Sequence, residues 1–338
     1  MKQIRKFSSG FSFCSRMATT RQNPLRLSAV LGFQERKNDI IYTQSLTTSI
    51  KSNPHIVVFF PGDVQDYIEN MEAHRDSKYY KQWNLEDTAL TLQNKFPGDH
   101  ILVVKPSRMA LKTFTCFQNF VKSNELGVPE HSDNYDSLRH LDCLIKEASE
   151  RLKTCEESHG YGFEGLDLRI VGFSKGCVVL NQFLYEFCYY KNIKDQEITT
   201  LISKIRDMYW LDGGHSGGKN TWVGNHAILD TLCSLNINVH VHVSPYQIRD
   251  DRRPWIKKEE KSFRDYLSKH GCNIDRKVHF ETVTPSILVH FDVLNVFKTI
   301  CGILHKSVHP SYFLRKKRNN HHRAESGTRN RQWSISKT

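Results

Sequence analysis

The stretch LRIVGFSKGCVVLNQF, Leu168–Phe183, decides how this chain is read. An apolar run meets Ser174 between Gly172 and Gly176, and a second apolar run follows. Val179, Leu180, Phe183, Leu184 and Phe187 in the second run fall at helical spacing. The segment therefore reads as strand, tight turn, helix. A bare Gly-x-Ser-x-Gly arises by chance in roughly one chain in ten of this length. Its place between a strand and a helix is what makes it a candidate nucleophile elbow, in which a strained turn projects the hydroxyl away from the sheet. The plainer alternative is a corner with an ordinary serine.

Outward from this segment, short apolar runs alternate with longer helical patterns. His55–Phe60, His100–Val104, Leu166–Phe173, Met208–Asp212, Ile237–Val243 and Lys277–Val283 read as strands, with a weaker candidate at Ile40–Gln44. Continuous rather than alternating hydrophobicity is the mark of strands covered on both faces. Helical patterns lie between them. One starts after Asn84 as N-cap, one spans Ser137–Leu152 with Asp133 or Asp136 as cap, and one ends at Gly271. The alternation predicts an α/β fold: a doubly wound, mostly parallel sheet with helices on both faces. Residues 107–132 are long for a connection and read as a lid or functional loop.

A nucleophile elbow needs an acid and a histidine later in the chain, in that order. Asp250 follows the Ile237–Val243 strand and His290 follows the next one. In a doubly wound sheet those ends gather on one edge. Ser174 as nucleophile, His290 as base and Asp250 as orienting acid are thus the expected triad, with Asp212 and Asp251 as alternative acids. His215 and His279 compete with His290. The oxyanion donors are expected at the Lys175 amide and in the Pro61-Gly62-Asp63 turn, at Gly62 or Asp63. An acidic Asp63 side chain there helps only if it points away. The glycine-rich DGGHSGG (Asp212–Gly218) matches neither phosphate-binding pattern. Neither a metal site nor a cofactor is expected.

The net charge of +12 suggests nucleic acid until it is located. Residues 1–34 carry six basic residues and no acid, and residues 311–338 carry eight basic residues and only Glu325, leaving 35–310 at −1. A phosphate-gripping body is not indicated. Residues 1–34, Arg- and Ser-rich without an apolar core, read as a mitochondrial transit peptide, with a basic start and initiation at Met17 as the alternative. The folded domain is placed at 35–310 and a basic disordered tail at 311–338. No run is long enough to span a membrane. The nine cysteines show no regular spacing and are expected as free thiols, Cys143, Cys177 and Cys233 among them.

FFPGDVQDY (Phe59–Tyr67), FVKSN (Phe120–Asn124), GFSKGCVVLNQFLYE (Gly172–Glu186), MYWLDGGHSGG (Met208–Gly218), TWV (Thr221–Val223), HVSPYQIRD (His242–Asp250) and KVHFETVTPSILVHF (Lys277–Phe291) together resemble the metazoan mitochondrial family named after chromosome 2 open reading frame 69. The resemblance spans roughly residues 55–300. It implies an α/β-hydrolase-like fold, a mitochondrial location, expected in the matrix, and a role connected with respiratory function; it supplies no substrate. Ser174, Asp212, Asp250 and His290 fall in the matching segments. Two functions follow as expectations. One is a serine hydrolase acting on an ester, thioester or amide of an acyl-type small molecule or lipid. The other is an inactive hydrolase scaffold that binds a mitochondrial protein partner or a metabolite.

Overall fold

The computed structural model describes residues 23–46, 54–155 and 162–299. Eight strands form one sheet: β1 (Leu25–Leu31), β2 (Lys37–Thr43), β3 (His55–Phe60), β4 (His100–Val104), β5 (Asp167–Phe173), β6 (Ile205–Leu211), β7 (Asn238–Val243) and β8 (Ile274–Val278). Their order is β1-β2-β4-β3-β5-β6-β7-β8. Only β2 runs against the others, pairing antiparallel with β1 and β4. This order, with one reversed strand in second place, defines the α/β-hydrolase fold. The chain passes from β3 to β4 on one side and returns as β5 on the other, so the switch point lies between β3 and β5. Ligands bind at such a crevice, outside the C-terminal strand ends.

The helices are α1 (Ile68–Ala73), α2 (Leu85–Lys95), α3 (Ser137–Thr154), α4 (Cys177–Ile193), α5 (Gln196–Ser203), α6 (His226–Ser234), α7 (Pro245–Ile248), α8 (Pro254–Lys269) and α9 (Ile287–Val296). Side-chain alternation splits the core into two layers. Ile56, Val58, Phe60, Ile170, Met208 and Trp210 pack against α3, α4, α6 and α8. Val57, Phe59, Val171, Phe173, Tyr209 and Leu211 pack against α2 and α9. Both faces of the central strands are covered, which is why their sequences are continuously apolar.

The sequence reading is revised at several places. Leu25–Leu31, placed by the sequence reading in the segment 1–34, form the first strand of the sheet. Residues 1–22 and 300–338, which hold the rest of that segment and the basic tail, lie outside the described residues. The last strand runs over Ile274–Val278 instead of Lys277–Val283. Phe280 adopts φ +57°, which breaks the extended chain just after His279. Asn84 caps α2 as expected, its side chain accepting from the Asp87 amide. Asp136 precedes α3 without capping it through its side chain. The carboxylate of Glu186, on α4, instead accepts from the amides of Tyr135, Ser137 and Leu138. Cys233 is not a free thiol: it is bonded to Cys272, with the two Cα atoms 4.8 Å apart. The fold brings together cysteines 39 residues apart in the chain, a pairing that irregular spacing could not announce.

Candidate active site

The Gly172–Gly176 turn has the strain its sequence suggests. Ser174 adopts φ +52°, a region that residues with a side chain rarely enter. Phe173 ends β5 and α4 begins at Cys177, so the chain reverses within three residues. The two glycines permit this. A Cβ on Gly176 would lie 2.0 Å from the Phe60 carbonyl oxygen, and one on Gly172 would lie 2.9 Å from Cys177 Cα. The β3 turn approaches just as closely: a Cβ on Gly62 would lie 2.7 Å from Ser174 Cβ. Cys177, buried behind the turn with its thiol on the Gly172 carbonyl, has its pKa pushed up by burial and is no nucleophile.

His290 lies in the first turn of α9, and Asp212 follows β6 with φ +48°. His290 Nδ1 is 2.7 Å from Asp212 Oδ2. Asp212 is fully buried, and its oxygens also accept from the Ser244 amide at 2.6 Å and the Ser244 hydroxyl at 2.5 Å. With Nδ1 donating its proton to this carboxylate, the neutral imidazole carries its lone pair on Nε2. The ring is held between Phe173, the neighbour of Ser174, and Tyr246 of α7, each with its centroid 4.6 Å away. The Gly214 amide donates to the Ser174 carbonyl at 3.3 Å, tying the Asp212 loop to the turn. Ser174 Oγ and His290 Nε2 do not hydrogen-bond to each other among the described residues, a looseness common before substrate binds.

Asp250, the acid first expected beside His290, is elsewhere engaged. Its Oδ1 accepts from the Arg252 amide and side chain, and its Oδ2 from Arg253 Nε at 2.8 Å. Asp251 is exposed. The partner of His290 is therefore the alternative acid, Asp212. His215 is spent on its own glycine-rich loop, with Nδ1 accepting from the Gly217 amide and Nε2 facing the Asn220 carbonyl. Its pKa is lowered to about 4, chiefly by burial, with Lys175 and Arg253 among the nearby positive groups. His279 meets His242 at 2.9 Å.

The expected oxyanion donors sort similarly. The Gly62 amide is taken by Gln65 Oε1 at 2.9 Å, which removes it from the set. The Asp63 carboxylate is turned away from the serine: its Oδ1 accepts from the Thr115 amide at 2.7 Å and the Thr115 hydroxyl at 2.9 Å. The ammonium of Lys175 lies 3.5 Å from the same oxygen and donates to the Leu126 carbonyl. Lys175 is only 1% exposed, so its charge is held between a carboxylate and a carbonyl. These contacts fasten residues 107–132 to the turn. That segment folds into two small hairpins, Arg108–Ala110 with Phe114–Cys116 and Lys122–Ser123 with Pro129–Glu130. Sequence reasoning missed Ser244, which fixes Asp212, and Tyr246, which stacks on His290; both stand in SPYQIRD, but no spacing signals a ring packed on a histidine. Among the described residues, no group of three or more His, Cys, Asp or Glu could hold a metal ion, and no helix is long and apolar enough to cross a membrane.

Strand order and the strained serine turn define a protein of the α/β-hydrolase fold. The chain belongs to the C2orf69 family: the family model matches residues 26–162 and 157–273. It is similar to the mouse mitochondrial protein C2orf69 homolog, 37% identical over 87% of this chain and 96% of the relative. The zebrafish homolog of the same name is 38% identical over 81% and 85%. Among solved structures, a thermostable esterase aligns over 76% of this chain and 54% of that longer chain, with a TM-score of 0.41 and 13% identity.

Proposed function

We propose that this chain is a serine hydrolase cleaving an ester, thioester or amide, with Ser174 as nucleophile, His290 as general base and Asp212 as the acid that orients it. The observation that carries the reading is the buried Asp212–His290 pair stacked against the residue that precedes a serine at φ +52°. In this mechanism His290 Nε2 takes the Ser174 proton as Oγ bonds to the substrate carbonyl carbon. The oxyanion accepts hydrogen bonds from the Lys175 and Asp63 amides. Collapse breaks the bond to the leaving group, which takes the proton from His290. Water then repeats the sequence on the acyl-enzyme. Residues 107–132 form the lid. The names of its relatives support a mitochondrial location, and a role connected with respiratory function is part of the same proposal.

The test is labelling of purified protein with a fluorophosphonate, which bonds to an activated serine hydroxyl. Wild type labels, Ser174→Ala does not, and His290→Ala labels far more slowly. If folded wild type stays unlabelled, the chain is an inactive scaffold and the hydrolase reading fails.

A further inference from the structure

Asp250, the acid first expected beside His290, holds two arginines instead. It holds Arg253, whose guanidinium carbon lies 5.6 Å from the Tyr246 ring centroid. The same ring stacks on His290, with centroids 4.6 Å apart. Arg253, Tyr246, His290 and Phe173 thus form one series of contacts that ends at the residue before Ser174. Among the described residues the terminal nitrogens of Arg253 make no hydrogen bond, and the side chain is 22% exposed. Two other cations near the site have partners of their own. Lys175 is tied to Asp63 and a carbonyl, and Arg249 donates to the Glu281 carbonyl. Asp250 is one carboxylate shared by two guanidiniums, those of Arg252 and Arg253; with Arg249 and Asp251 the run 249–253 carries three guanidiniums and two carboxylates, a net of +1.

We propose that Arg253 is a substrate-binding cation and that the leaving group of the substrate, an alcohol or thiol, carries a carboxylate or phosphate. The proposal rests on the serine-hydrolase reading. The side of the substrate follows from the chemistry: His290 delivers its proton to the leaving group, so the leaving group departs toward the histidine. Arg253 is one ring removed from that histidine, through Tyr246. A guanidinium with its fork unoccupied and its Nε fixed is suited to planar, bidentate recognition of such an anion.

The experiment compares three butyryl thioesters, those of 3-mercaptopropionate, of its neutral methyl ester and of 2-mercaptoethyl phosphate, with the released thiol measured. Wild type is expected to prefer at least one anionic thioester by about tenfold in kcat/KM, through KM, the scale of one charge-assisted contact. Arg253→Gln loses that preference and Arg253→Lys keeps part of it; the better arm identifies the anion. Equal anionic-to-neutral ratios in wild type and Arg253→Gln overturn the proposal. Calorimetry separates this from a failure of catalysis. Ser174→Ala protein should bind at least one of the two anionic thioesters about tenfold more tightly than the Ser174→Ala, Arg253→Gln protein. Binding that depends on Arg253 without turnover in wild type retains the subsite and rejects the hydrolase; equal binding in both proteins rejects the subsite.

Discussion

Asp212 follows β6 directly and Asp250 follows β7 by way of α7, and their surroundings separate them. Asp212 is buried, with its oxygens bonded to Ser244 and His290. Asp250 faces two arginines. Asp212→Asn leaves the geometry in place but removes the acceptor that selects the Nδ1 tautomer of His290. The expected result is a fall in fluorophosphonate labelling rate of roughly 10³–10⁴-fold. Asp251→Asn, at an exposed position, should label like wild type. Equal rates for Asp212→Asn and wild type would remove Asp212 from the mechanism. The serine was legible because strain and close approach demand glycines on both sides of it, a local requirement. The acid was not, because several aspartates satisfy the chain order and only packing chooses among them.

At the scale of elements, α4 organises the site from below. It begins at the Ser174 turn, and its Val178 carbonyl, Gln182 and Glu186 hold residues 131–138. Glu186 supplies the cap that Asp136 does not. Glu186→Gln removes the charge from three amide bonds and should destabilise the protein by roughly 1.5–3 kcal/mol. A urea unfolding midpoint identical to that of wild type would show that the cap is dispensable. Long elements with clear periodicity, such as α3, α4 and the central strands, were readable from the chain. The strand β1 and the short helix carrying His290 were not. β1 is mostly exposed, so it has no continuous apolar signature. ILVHFDVLNV is apolar almost throughout and lacks the polar face that distinguishes helix from strand.

Over the whole molecule, burial of histidines couples stability to pH. Burial lowers the pKa of His140 and His242 to about 3, and of His215 and His279 to about 4. His140 is held neutral between the Phe33 amide and the Asn38 side chain. In the unfolded chain each titrates near 6.5. Below that pH the unfolded chain takes up protons that the folded chain excludes, so the histidine contribution to stability falls as pH drops from about 6.5 toward 4 and is flat above 7. Each histidine steepens the fall by up to about 1.4 kcal/mol per pH unit. Urea midpoints at pH 7.5, 6 and 5 test this; no decline toward pH 5 would contradict it.

The sequence by itself determined the alternation of buried strands and helices, the serine turn, and the confinement of excess charge to the two ends. These follow from hydrophobic period, from glycine sterics and from counting. Only the tertiary structure decided which aspartate meets His290, that Gln65 takes the Gly62 amide, that Cys233 joins Cys272, and that Arg253 packs on the ring that stacks on the histidine. All but the Gln65 bond depend on groups distant in sequence meeting at a few ångströms, and the positions of the strand ends and loops that bring them together are set by packing.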